Sequence, residues 1–181
     1  MLLKLFDEIP RLERGGIVLR KLEYKDIPAL RELTENENVY RYLPTFLFEK
    51  QYDDMREMID ALYGSCFAAK ESLILGICSS ENDALYGLAE FYGYKDAIHK
   101  TCVGYRLLER YWNRGIATGT VAIMADYLYT QTDIEIITAS TMIENTASAR
   151  VLEKNGFVKT VSGAPEDWGY SSPTLADKWI R

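Results

Sequence analysis

The chain has 181 residues, 48% hydrophobic and 27% charged, so it can bury one sizeable core and is too short for two domains. A formal net charge of −6 argues against general binding of nucleic acid but leaves local phosphate binding open. Three widely spaced cysteines and a single histidine, His99, argue against a disulfide framework, a metal site and a Ser-His-Asp triad.

The N-terminus is too short and too charged for a signal peptide, and no apolar run approaches the length of a membrane span. We therefore expect a single domain over residues 1–181, located in the cytoplasm. We expect neither a nucleic-acid partner nor a membrane partner, and no metal.

The N-terminal third alternates strand and helix signals. Ile17–Arg20 is a short apolar run typical of a strand, and Asp26 is placed to cap a helix that runs through Leu33. A further helical piece should end near Tyr42, because Pro44 follows and restricts the residue before it. Apolar residues spaced three and four apart predict another helix over residues 52–62.

The remainder of the chain changes period. Apolar runs at Leu73–Cys78, Ala84–Tyr92 and Thr101–Leu108 predict three strands of an antiparallel meander. After them come a helix starting near Gly115, a strand at Glu135–Ala139, a helix at Asn145–Asn155, and strands at Phe157–Val161 and Leu175–Ile180. The fold class is therefore α/β, with a mixed sheet that is antiparallel first and crossover-connected later.

The segment Tyr111–Gly119 joins a predicted strand to a long helix. The first amides of a helix have no partner within it, and they point toward any anion at the helix end. Gly115 lacks a Cβ and allows close approach of a phosphate, and Arg114 can add a charged hydrogen bond. The alternative is a plain strand-to-helix turn in which glycine permits the bend. The segment matches neither a Walker loop nor a Rossmann fingerprint.

A second motif lies thirty residues further on, at Asn145–Phe157. Asn145 is placed to cap a helix, with Ser148 three residues later on the same face. Arg150 and Lys154 follow four residues apart. Taken alone, this motif equally suits a capped amphipathic helix with a structural role.

Together the two motifs resemble those of the GNAT (N-acetyltransferase) superfamily, where Gly115-x-Ala117 fits the pyrophosphate motif. The run from Asn145 to Phe157 resembles the branch that includes ribosomal-protein N-terminal acetyltransferases, and so do Val39–Pro44 and Gly104–Leu107. The resemblance implies a mixed, mostly antiparallel sheet flanked by helices. It also implies that the sheet splays between its fourth and fifth strands.

The resemblance also implies a set of site residues for acetyl-CoA. Main-chain amides should hold its pyrophosphate at Asn113, Arg114, Gly115, Ile116, Ala117 and Thr118. Strand residues Tyr105 and Leu107 should hydrogen-bond the pantetheine arm, and Asn145 should contact the coenzyme across the splay. Ser148 should lie near the thioester sulfur and donate a proton to the leaving thiolate.

The chain departs from the family pattern at two positions. Leu152 stands where many members carry a tyrosine acid, and Cys102 stands where this branch often carries glutamate. Glu90 interrupts an apolar strand, where an unpaired charge is costly, so it is our predicted base. The alternatives are that Glu90 forms a salt bridge with a neighbour such as Arg106, or that it lies at an exposed strand end.

These expectations lead to one main hypothesis and two alternatives. The chain would transfer acetyl from acetyl-CoA to a primary amine, either a small molecule or a protein N-terminus, by direct attack in a ternary complex. The alternatives are a non-catalytic acyl-CoA-binding sensor of the same fold and a plain structural domain. The enzyme would be a monomer or a homodimer.

Overall fold

The computed structural model describes residues 2–181 and contains one mixed sheet of eight strands. The strands are β1 (Leu12–Arg14), β2 (Ile17–Arg20), β3 (Ser72–Ser79), β4 (Leu85–Lys95), β5 (Lys100–Leu107), β6 (Ile136–Met142), β7 (Val158–Glu166) and β8 (Thr174–Ile180). Their spatial order is β1-β2-β3-β4-β5-β6-β8-β7. The predicted α/β class and the mixed, mostly antiparallel sheet are confirmed, and β1 is a short strand that the sequence analysis missed.

Five α-helices flank the sheet: α1 (Ile27–Glu35), α2 (Glu37–Tyr40), α3 (Met55–Ala61), α4 (Ile116–Gln131) and α5 (Thr146–Lys154). The helix predicted over residues 52–62 begins only at Met55, because the Asp54 carboxylate accepts the amide of Arg56 and caps it there. Asp26 does precede α1, but its carboxylate binds Arg20 instead of capping the helix. Within residues 2–181, no helix has the length and hydropathy required to cross a bilayer.

The helices cover the two faces of the sheet with separate cores. On one face, α4 contributes Met124 and Leu128, which pack with Phe91 and Val103 of the central strands. On the other face, α1 and α3 pack against residues such as Leu88. Because side chains alternate along a strand, Glu90 shares the face of Leu88, and it points toward the α1–α3 side.

The sheet opens between β5 and β6. These two strands run parallel and pair only from Lys100 with Ile136 to Cys102 with Thr138. Hydrogen bonds alternate along β5, and the amide of Leu108 donates to the Tyr86 carbonyl on the β4 side. The main-chain groups of Tyr105 and Leu107 therefore face the open gap. The predicted splay between the fourth and fifth predicted strands is confirmed at this position.

Candidate functional site

The turn before α4 presents free amides to solvent. Asn113 and Gly115 both adopt left-handed backbone conformations, with φ of 59° and 77°. Gly115 is the N-cap of α4, and a Cβ built on it would meet nothing within 4 Å. Within the helix, the amide of Gly119 is the first to bond back, to the Gly115 carbonyl at 3.0 Å. The amides between these two residues have no partner inside the helix, so this turn can receive an anion.

A groove of about 650 Å³ extends from this turn along β5 and α5, and we call it the basic groove. Four exposed cations line it: Arg41, Arg114, Arg150 and Lys154. One carboxylate, Glu109, shares the lining and accepts hydrogen bonds from the amides of Asn36 and Asn38. The excess of positive charge, next to free amides, suits a ligand that carries several phosphate oxygens.

Asn145, Ser148 and Tyr105 come together where α5 approaches the gap. The Asn145 side-chain oxygen accepts the amide of Ser148 at 3.1 Å, which caps α5 as predicted. The hydroxyls of Ser148 and Tyr105 lie 3.0 Å apart. Burial raises the pKa of Tyr105 to about 12, so the phenol stays protonated at neutral pH. Two linked hydroxyl donors therefore stand at the gap.

Leu107 has one of its two main-chain groups already engaged. The indole Nε1 of Trp112 donates to the Leu107 carbonyl at 2.9 Å. Within this stretch, Tyr105 keeps both its amide and its carbonyl directed at the gap, whereas Leu107 can offer only its amide. This contact also anchors the turn before α4 to the end of β5.

A second cavity, of about 450 Å³, adjoins the basic groove, and we call it the acidic cavity. Four carboxylates line it: Glu71, Glu90, Glu166 and Asp167. Its walls include the loop after α2, where the Thr45 amide donates to the Trp168 carbonyl at 2.9 Å. Both spaces are lined by Tyr42, Leu43, Tyr105, Arg106, Asn145 and Ser148. The groove and the cavity therefore meet at the Tyr105–Ser148 pair.

Glu90 belongs to a buried triad with Arg106 and Glu49. Arg106 Nη1 donates to Glu90 Oε2 at 2.7 Å, while its Nε and Nη2 donate to the two Glu49 oxygens at 2.5 Å each. The remaining Glu90 oxygen accepts from the Ser72 hydroxyl at 2.6 Å, and Tyr40 donates to Glu49 at 2.8 Å. The salt-bridge alternative for Glu90 is therefore what the structure contains, and both of its oxygens already accept hydrogen bonds.

The structure brings most of the predicted site residues to one place. The turn residues line the basic groove, Asn145 and Ser148 line both spaces, and Glu90 lines the acidic cavity. Sequence reasoning missed Glu49, Ser72 and Trp168, which reach the site from distant segments, and it missed the contact of the Tyr105 hydroxyl with Ser148. The resemblance indicated the main chain of Tyr105 but gave no sign that α5 would bring Ser148 to its hydroxyl.

Comparison with known proteins agrees with this arrangement. A family model described as an acetyltransferase (GNAT) domain matches residues 17–158. The chain belongs to the GNAT acetyltransferase family. One curated relative, the uncharacterized N-acetyltransferase YnaD of Bacillus subtilis (strain 168), is 28% identical over 170 residues, which cover 90% of this chain and 95% of the relative. The chain is accordingly an N-acetyltransferase, an enzyme that transfers acetyl groups to amines.

Two solved structures share the GNAT fold with this chain. The spermidine N-acetyltransferase of Vibrio cholerae, in complex with CoA and spermine, superposes with a TM-score of 0.75 at 18% identity, over 93% of this chain and 96% of that one. RimL, a ribosomal alpha-N-protein acetyltransferase in complex with coenzyme A, gives 0.78 at 15% identity, over 95% and 97%. At these identities the likeness establishes the fold.

Proposed function

We propose that this GNAT enzyme transfers acetyl from acetyl-CoA to a primary amine by direct attack in a ternary complex. The observation that carries the proposal is the gap between β5 and β6. At that gap the basic groove and the acidic cavity meet at the Tyr105–Ser148 pair. A donor held in the groove and an acceptor held in the cavity would reach each other there.

The basic groove suits the coenzyme in both charge and shape. Free amides from Ile116 to Thr118 and the nearby Arg114 would hold the pyrophosphate. The pantetheine arm would hydrogen-bond to the main-chain groups of Tyr105 and to the amide of Leu107. In a closed sheet, a neighbouring strand would pair with these groups. The two solved relatives above are CoA complexes, which supports this assignment.

The hydroxyl pair at the gap supplies the acid in this proposal. Acetyl-CoA provides the thioester, and transfer forms a C–N bond, breaks the C–S bond, removes one proton from the amine and adds one to sulfur. Ser148 would donate that proton, and Tyr105 behind it would restore the proton on Ser148. After the products leave, Tyr105 would regain a proton from solvent and the base would release one to solvent. The pair takes the place of the family tyrosine acid, whose position is occupied by Leu152, a buried residue.

The acidic cavity would receive the acceptor amine. Glu90 faces it and, in the proposal, accepts the amine proton through water, because both its oxygens are hydrogen-bonded. An α-amine has a pKa of ~7.7–8.0, about 2.5 units below a lysine amine, so a weak base is sufficient for it. The two solved structures are a spermidine N-acetyltransferase and a ribosomal alpha-N-protein acetyltransferase, and the proposal includes both a small amine and a protein N-terminus as acceptors.

The test is release of free CoA thiol over a panel of primary amines, with acetyl-CoA binding measured by calorimetry alongside. We expect tight binding and amine-dependent thiol release, and we expect Glu90→Gln to slow turnover while acetyl-CoA affinity is nearly unchanged. Tight binding with no release above hydrolysis would favour the sensor alternative. Absence of binding would overturn the coenzyme site itself.

The wider expectations complete this proposal. We propose that the chain acts as one N-acetyltransferase domain over its 181 residues and works in the cytoplasm, as a monomer or a homodimer. Sedimentation at micromolar concentration and fractionation of the source cells would test these two points separately.

A further inference from the structure

The buried triad carries an uncompensated charge. One guanidinium, that of Arg106, lies between the carboxylates of Glu49 and Glu90. The three side chains are 2%, 1% and 10% exposed, so water screens them poorly. Two negative charges against one positive charge leave one excess negative charge inside the protein. Burying such a charge is costly unless a positive charge lies near it.

The described residues that line the acidic cavity do not supply that positive charge. Among the described residues that line the acidic cavity, Arg106 is the only basic one, and the triad already uses it. Glu71 and Asp167 add exposed carboxylates to the same lining, and neither forms an ion pair with any of residues 2–181. Glu166 is paired, with Lys178. The lining of the cavity therefore carries more negative than positive side chains.

Two further observations indicate that a ligand would complete the cavity. The Tyr92 hydroxyl lines it and has no hydrogen-bond partner among residues 2–181, and burial raises the pKa of this phenol. Aromatic side chains of Tyr42, Phe46 and Trp168 form much of the wall. Aromatic faces attract ammonium groups, and a free hydroxyl can accept a hydrogen bond from one.

Resting on the acetyl transfer proposed above, we infer that the acidic cavity selects an acceptor with a second positive charge beside the amine that becomes acetylated. The excess charge of the triad, which Glu90 brings to the cavity lining, would attract that second charge, while Glu90 takes the proton of the reacting amine through water. Glu49 would act as a positioning residue, because it offsets the charge of Arg106 and fixes the orientation of its guanidinium from behind the cavity wall. The basic groove would repel the same acceptor, which keeps donor and acceptor on their own sides.

The experiment compares three acceptors of equal length: the diamine putrescine, the amino alcohol with the same four carbons, and the matching amino acid. For the parent enzyme we expect kcat/KM to fall at least ~10-fold from the diamine to the alcohol, and again to the amino acid, since one charge is removed and then reversed. Calorimetric titration of the same compounds into the CoA-saturated enzyme should give the same order without turnover.

Three variants connect the preference to the triad. Glu49→Gln and Glu90→Gln each remove the excess charge, so both should reduce the diamine-to-alcohol ratio ~10-fold in binding and in kcat/KM. Glu49→Asp should restore much of the ratio. The control, Glu81→Gln, changes the net charge equally at an exposed turn outside the cavity, and should leave the ratio unchanged.

The two readouts separate this inference from the proposed function. Equal binding and turnover of diamine and amino alcohol by the parent enzyme, or better performance of the amino acid, would overturn the inference while leaving acetyl transfer intact. Preferential diamine binding without thiol release would support the inference and contradict the transferase proposal. If the melting curve shows that Glu49→Gln is unfolded, the exposed variants Glu71→Gln and Asp167→Asn replace it. Each removes a negative charge from the cavity lining and should lower the diamine-to-alcohol ratio.

Discussion

The basic groove and the acidic cavity meet at the same two hydroxyls, yet they are built differently. The groove uses main-chain amides at a helix start and four exposed cations. The cavity depends on buried ion pairs between segments far apart in sequence, such as Glu49 and Arg106, which are 57 residues apart. Charges in the groove can be replaced singly, whereas those in the cavity support one another.

The contrast between the groove and the cavity predicts that substitution of Arg106 has the largest effect on stability. Arg106→Met leaves two buried carboxylates without their cation, and we expect a loss of ~3–5 kcal/mol in the free energy of unfolding, measured in urea. The matched variant Arg114→Met in the groove should leave stability almost unchanged, because that side chain is exposed. Equal losses of unfolding free energy in the two variants would contradict the proposed difference between the buried charges of the cavity and the exposed charges of the groove.

The second-largest effect is expected from a change to the main-chain turn of the groove at Gly115. Gly115→Ala puts a Cβ on a residue with φ of 77°, which costs ~1–2 kcal/mol of stability. The new methyl group also lies where an anion would approach, so acetyl-CoA affinity should fall as well. Gly64→Ala is the control, since its Cβ would also meet open space and its φ is not left-handed. Unchanged affinity in Gly115→Ala would contradict the pyrophosphate assignment.

Tyr105→Phe tests the meeting point of the two regions. Without the phenol, Ser148 loses its partner at 3.0 Å, and we expect kcat to fall ~10-fold to 100-fold with little change in stability. Stopped-flow measurement of thiol release at saturating substrates gives this rate. Tyr129→Phe, at an exposed tyrosine outside both spaces, should keep the parent rate.

The smallest effect is expected from a single exposed cation. Arg150→Gln should weaken acetyl-CoA binding only ~2-fold to 5-fold at low salt, because exposed charge pairs contribute little each. The loss should shrink as salt is added. A loss that is large and independent of salt would mean that Arg150 is desolvated by the ligand, and the groove would then resemble the cavity.

The same contrast explains what the sequence could predict. Local signals located the elements that form the groove, because the Gly115 turn, the Asn145 cap and the strand periods all depend on neighbours within a few residues. The assignment of these elements to a coenzyme site followed from the family resemblance. The splay followed from the resemblance between this chain and the GNAT family. The cavity was only partly predictable. Glu90 could be selected because it interrupts an apolar strand, whereas Glu49 lies in an ordinary polar segment that gives no such signal.

Tyr105 shows where local reasoning stops. Its main chain was predicted to face the coenzyme, and the alternation along β5 supports that position. Its hydroxyl matters because α5 brings Ser148 to it across 43 residues of sequence. Neither the spacing nor the period of the two segments records that packing, since it depends on how α4 and α5 lie against the sheet.

The measurement that tests the central claim most directly is the comparison of Ser148→Ala with the parent enzyme, with kcat for amine acetylation and Kd for acetyl-CoA measured on the same preparation. The account predicts that kcat falls ~100-fold while Kd changes less than ~3-fold, because in the proposal Ser148 donates a proton to the leaving thiolate and contributes little to holding the coenzyme. An unchanged kcat, or a loss confined to Kd, would contradict it.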